Sequence, residues 1–124
     1  MSRMLNVLIV EDDPSLGIVT AEALSSAGHT TTLVATVVDA LATLRAAHTF
    51  DVILLDLRIG EERGETVFEK LQLLRVKYPP VVILSAQPEI ELRKAGVSIQ
   101  TKHVLSKPTS IARIIQVIEE AVVA

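Results

Sequence analysis

Asp51-Val52-Ile53-Leu54-Leu55-Asp56 is the stretch on which the reading of this chain turns. Its four central residues are apolar, of β-branched or leucine type, as in a strand buried on both faces. The run stops on a carboxylate, Asp56, and Leu57-Arg58-Ile59-Gly60 cannot continue it. Open parallel sheets bind their ligands at the carboxyl ends of the strands. Taken alone, an aspartate there more often caps or exits the strand than does chemistry.

Outward from this stretch, strand-length apolar runs alternate with helical patterns, five times over. Asn6 to Val10 is the first strand. Pro14 suits the first turn of a helix with Asp12 or Asp13 as N-cap. Leu16, Val19, Ala23, Leu24 and Ala27 follow at helical spacing, and Gly28 closes the helix. Thr30 to Ala35 is a second, β-branched strand, and Thr36 caps a helix whose stripe is Ala40, Leu41, Leu44 and Ala47. Beyond Asp56 a loop runs from Gly60 to Gly64, and Val67, Phe68, Leu71 and Leu74 form a third helical stripe that Pro79-Pro80 ends.

Val81 to Leu84 is the fourth strand, running out at Ser85-Ala86. Pro88 to Ala95 is a short helix with a thin stripe, and His103 to Ser106 is the fifth strand. In the last helix Ile111, Ile114, Ile115, Ile118 and Val122 share a face, which Val117, Ala121 and Val123 widen beyond what core packing alone requires. This βα alternation predicts an α/β fold: a doubly wound, five-stranded parallel sheet with right-handed crossovers.

The composition is that of a single globular domain over residues 1–124, with no separate output domain expected. Hydrophobic residues make up 49% and aromatics only 2%, so the core must be aliphatic. A net charge of -3 without any basic run argues against a nucleic-acid surface. The absence of cysteine rules out disulfides and thiolate metal sites. The apolar start from Met4 to Val10 is too short to span a bilayer and lacks a signal-peptide pattern, so a cytoplasmic protein is the expectation.

Parallel strands bring all their carboxyl ends to one rim. Glu11-Asp12-Asp13, Asp56, Ser85 and Lys107-Pro108 each follow such an end. Neighbouring carboxylates repel, and a divalent cation relieves the repulsion. Oxygen donors with open water positions favour Mg²⁺. Lys107 adds a point charge suited to phosphate and Ser85 a hydrogen-bond donor. Asp13 reads as a helix cap, and His29, His48 and His103 are too scattered to form a metal site.

In these fragments the chain resembles the receiver domain of two-component response regulators. The matching pieces are Val7 to Asp13, Ile53 to Asp56, Val82 to Ala86 and Leu105 to Pro108, in order and each at a strand end. The resemblance implies the flavodoxin-like strand order 2-1-3-4-5. It makes Asp56 the phosphoacceptor, with Mg²⁺ held by Glu11, Asp12, Asp56 and the backbone carbonyl of Arg58. Ser85, Ala86 and Lys107 become the groups that contact the phosphoryl oxygens.

By the same resemblance the domain catalyses only its own phosphorylation and dephosphorylation. Its partners are then a histidine kinase or histidine-phosphotransfer protein and a downstream protein target. The wide apolar last helix adds an expectation of docking or homodimerisation there. Two departures stand out. Val104 occupies the place where the family usually carries Tyr or Phe, and Gly60 a place where proline is common. The competing reading is a receiver-like binding module that works without phosphorylation. A phosphatase with an aspartate nucleophile would need a second acid where Arg58 stands.

Overall fold

The computed structural model describes residues 4–46, 49–56, 58–59, 62–63, 79–85, 104–106 and 110–123. The expected third and fourth helices, around Val67 to Leu74 and Pro88 to Ala95, lie outside them. The described elements are β1 (Asn6–Val10), α1 (Pro14–Ser26), β2 (Thr30–Val34), α2 (Val37–Ala46) and β3 (Val52–Asp56). After these come β4 (Arg58–Ile59), β5 (Glu62–Arg63), β6 (Val81–Ser85), β7 (Val104–Ser106) and α3 (Ile111–Val123). Strands β2-β1-β3-β6-β7 form one sheet, parallel at every pairing. This is the doubly wound order expected from the sequence. The short pair β4-β5 is antiparallel, with Arg58 opposite Arg63, where a loop from Gly60 to Gly64 was expected. Two residues per strand give no alternation from which a hairpin could be read.

Alternation along each central strand divides the core in two. Leu8, Val10, Ile53, Leu55 and Ile83 pack with Ala40 and Leu44 of α2 on one face. Val7, Ile9, Val52, Leu54, Val82, Leu84 and Leu105 pack with Leu24 of α1 and with Ile114, Val117, Ile118 and Ala121 of α3 on the other. Each fully buried aliphatic side chain contributes roughly 1.5–3 kcal/mol relative to exposure.

The helices start and stop where their caps dictate. Asp13 is the N-cap of α1, its Oδ1 accepting the N–H groups of Ser15 at 3.0 Å and Leu16 at 3.2 Å. At the other end Gly28 takes a φ of +96°, Gly28 N–H donates to Ser25 O and His29 N–H to Leu24 O. That is the paired pattern of a Schellman stop. Thr36 Oγ1 accepts the N–H of Asp39 and so opens α2.

Two of the expected helical faces need correction. On α1, Leu16 (41% exposed), Val19 (53%) and Ala27 face solvent, while Gly17, Thr20 and Leu24 are buried. Apolar residues surround α1, so periodicity could not choose its inner face; close packing does. A Cβ on Gly17 would stand 2.9 Å from Leu33 Cδ1 of β2. On α3, Val117 and Ala121 are core residues rather than an exposed widening. The helix packs on β3, β6 and α1 together, which demands a broad apolar stripe.

The amino-terminal edge of the sheet is tied by polar contacts. Asp51, the first aspartate of the central stretch, accepts the N–H of Asn6 through Oδ2 at 2.8 Å. Its own N–H donates to Asn6 O. His29, 5% exposed, accepts the buried N–H of Leu5 at Nδ1, 3.1 Å away. His29→Phe would keep the ring volume but leave that N–H without its acceptor. Because His29 Nε2 is buried without a partner and is removed as well, the two effects largely offset, and the expected loss is at most about 1 kcal/mol, read as a slightly lower denaturant midpoint at unchanged slope.

Candidate functional site

The paired strands set the level of every residue at the carboxyl rim. Val34, Val10, Leu55, Ile83 and Val104 form one row across the sheet. One residue on, Glu11 follows Val10, and Asp56 pairs with Leu84, which pairs with Leu105. One further on, Asp12 follows Glu11, and Ser85 pairs with Ser106. Lys107 is next in sequence after Ser106. The backbone thus brings Glu11 and Asp56 to the same level on adjacent strands, with Ser85 one step beyond on the next.

The two members of the acidic pair differ in environment. Glu11 is buried, at 6% exposure, and its Oε2 accepts the N–H of Asp13 at 3.3 Å. Its own N–H donates to Val34 O, continuing the ladder one residue beyond β1. Asp12 is exposed. Asp13 spends its carboxylate on the helix cap, as expected for it. Asp56, Ser85 and Arg58 are described through their backbones, and Ala86, Lys107 and Pro108 lie outside the described residues.

Among the described residues no group of three or more His, Asp or Glu side chains is assembled around a point. The fit to a cation rests instead on the donor set at the rim. A carboxylate as buried as Glu11, beside Asp12 and level with Asp56, carries negative charge that desolvation makes costly. Oxygen donors of this kind suit a hard divalent ion. The residues therefore fit Mg²⁺.

One buried polar residue at this end was not foreseen. Thr20, 5% exposed on α1, lines a small pocket together with Glu11, Ile9, Val10, Leu54 and Leu84. Its position on the inner face became visible only with the true phase of α1. Of the three histidines only His29 is among the described residues, and it is buried with Nδ1 accepting the N–H of Leu5.

The response regulator receiver domain model matches residues 7–119. The chain belongs to that family. The receiver domain is 29% identical over 113 residues to transcriptional activator protein IrlR of Burkholderia pseudomallei, covering 90% of this chain and 47% of that protein. It spans about half the length of that relative.

Among solved structures, chemotaxis response regulator CheY4 of Vibrio cholerae superposes with a TM-score of 0.82 at 23% identity, covering 96% of this chain and 99% of that one. The receiver domain of a sensor histidine kinase from Pseudomonas aeruginosa superposes with a TM-score of 0.80 at 23% identity, covering 98% and 100%. That structure has a magnesium ion coordinated in its active-site cleft. Among the described residues of the present chain no helix is long and apolar enough to cross a membrane.

The division of labour within Glu11-Asp12-Asp13 can be tested directly. Asp13→Ala is expected to cost about 1 kcal/mol of stability by removing the cap of α1. Mg²⁺ affinity, measured by titration calorimetry, is expected to stay at the wild-type value.

Proposed function

We propose that this receiver domain accepts a phosphoryl group on Asp56 in a Mg²⁺-dependent reaction and thereby switches a protein-binding surface. The observation that carries the reading is the strand register. It brings Glu11 and Asp56 level on adjacent strand ends, with Asp12 and Ser85 one step beyond. Family membership and the Ser106-Lys107-Pro108 sequence support the same reading.

In this proposal a carboxylate oxygen of Asp56 attacks the phosphorus of a phosphohistidine on a histidine kinase or phosphotransfer protein. A P–O bond forms, the P–N bond breaks, and the imidazole leaves with its electron pair. Such transfer asks the protein for in-line positioning and neutralised phosphoryl oxygens rather than for further covalent chemistry. Lys107 supplies positive charge, the Ser85 hydroxyl donates a hydrogen bond, and the Ala86 N–H donates another. Glu11, Asp12, Asp56 and the Arg58 carbonyl would hold Mg²⁺, which when bound offsets charge on the phosphoryl oxygens. The domain is no enzyme towards other substrates in this reading; it catalyses its own phosphorylation and its own return to the free carboxylate. Phosphorylation then biases a two-state equilibrium of the surrounding loops.

A second reading, a module that binds its partner without phosphorylation, draws on Val104. This residue opens β7 at the place where an aromatic switch residue is usual in the family. The presence in the sequence of the acidic residues Glu11, Asp12 and Asp56 together with Ser85 and Lys107 opposes it. Incubation with a small phosphodonor and Mg²⁺ separates the two. One phosphoryl mass increment on wild type and none on Asp56→Asn is expected, and equal labelling of the variant would sink the assignment. Size measurement on the same samples reads homodimerisation.

The long side chain at position 58 is assigned to screening the phosphoryl group from water. Arg58→Ala is accordingly expected to shorten the lifetime of the phosphorylated form several-fold, followed as decay of the labelled mass. An unchanged decay rate would refute the screening role.

A further inference from the structure

β2 (Thr30–Val34) is one lateral edge of the large sheet, and among the described residues no strand pairs with its outer side. Two contacts settle its inner side: Thr30 N–H donates to Leu5 O at 2.8 Å, and Val34 O accepts from Glu11 N–H at 3.0 Å. Along a strand the backbone groups of successive residues point to opposite sides. Thr30, Thr32 and Val34 therefore bond towards β1, and the N–H and C=O groups of Thr31 and Leu33 point outwards. Such a row is a template for another strand, and sheet edges are ordinarily blunted by lysine, proline or a bulge. β2 has none of these. The opposite edge, β7, is only three residues long, with Lys102 two positions before it and Lys107 directly after. β2 instead lies within Ala23 to Val38, sixteen residues without Asp, Glu, Lys or Arg in a chain that is 22% charged. No other stretch of the chain runs so far without charge.

We propose that β2 pairs antiparallel with β2 of a second copy of this chain, about a two-fold axis at Thr32. In that register Thr31 stands opposite Leu33 of the second copy, and Leu33 opposite its Thr31. Each of these pairs exchanges two hydrogen bonds, because both members turn their backbone groups outwards. Between them Thr32 meets Thr32 as a close, non-hydrogen-bonded pair, a favourable combination across antiparallel strands. Charge selects the occupant. Two copies, each of net charge -3, approach along this uncharged stretch with no like charges opposed. Leu33, 37% exposed, comes against Thr31 of the second copy at the same time. The contact is isologous and closes at two copies. It joins two five-stranded sheets into one, with their carboxyl rims at opposite ends, so neither rim is covered. The pairing does not rest on phosphorylation of Asp56.

The test follows assembly of the full chain by sedimentation equilibrium over a wide range of concentration. One strand pair is a small interface, so the wild-type dimer should be reversible and dissociate on dilution. Hydrogen exchange at the Thr31 and Leu33 amides should slow as concentration rises. Exchange at Thr32, whose N–H bonds to β1, should not change. Thr32→Lys and Thr32→Glu each place like charges at the closest pair, and each alone should be monomeric. Mixed in equal amounts they should restore a dimer of one of each, since across the axis position 32 meets only itself.

Wild type that stays monomeric at every concentration overturns the proposal. So does a dimer of either charged variant alone, or a monomeric mixture of two variants that keep the wild-type circular dichroism. Where a charge at position 32 prevents folding, Thr31→Pro decides. The Thr31 N–H points away from β1, so proline removes an outward donor and leaves the ladder to β1 intact. Loss of the dimer in folded Thr31→Pro supports the pairing. A dimer formed through another face would survive all three substitutions and overturns it.

Discussion

The hydrogen-bond ladder between β1 and β3 is the constraint on which everything else in this domain depends. It places Val10 beside Leu55 and hence brings Glu11 level with Asp56. A slip of one residue would turn every core side chain of β3 to the opposite face. Ile53 and Leu55 would leave the α2 side, and Val52 and Leu54 the side of α1 and α3. The cost would be many kilocalories, so the same packing that stabilises the sheet also holds the site in alignment. Site geometry and core energetics are one problem here, solved by one register.

The polar contacts at the other edge reinforce that register. Asp51 and Asp56 bracket β3 and look alike in sequence, yet Asp51 is consumed by the backbone of Asn6. His29 anchors the start of β1 through Leu5. The edge remote from the proposed chemistry is thus tied by hydrogen bonds, while ligands of open parallel sheets bind at the opposite, carboxyl ends of the strands.

Much of this was legible in the chain itself. Buried parallel strands announce themselves as unbroken apolar runs, and all five strands of the large sheet were found within a residue or two of their ends. Gly28 and Thr36 spoke through cap chemistry, and the acidic pair through its place after a strand. Side-chain identity failed where it carried no phase. With Leu16, Ile18, Val19, Ala21, Ala23 and Leu24 distributed around α1, no single face was preferred, so Thr20 could not be recognised as buried. The breadth of the stripe on α3 was seen, but its cause, simultaneous packing on the sheet and on α1, depends on tertiary contacts. Val104, where the resemblance leads one to expect an aromatic residue, simply opens β7, and a strand register does not explain that departure.

Gly17 carries a consequence for how such a chain can drift over evolutionary time. Alanine in its place would gain about 1 kcal/mol of helix propensity. It would also press on the flexible end of Leu33, which is 37% exposed and so has somewhere to turn. Moving a side chain off its preferred rotamer costs about 0.5–1.5 kcal/mol, so the two effects nearly cancel. Which one wins is decided by the residue on the strand. Positions 17 and 33 should therefore covary among homologues, a larger residue on the helix accompanying a smaller one on β2, and the fitness effect of either substitution should change sign with its neighbour.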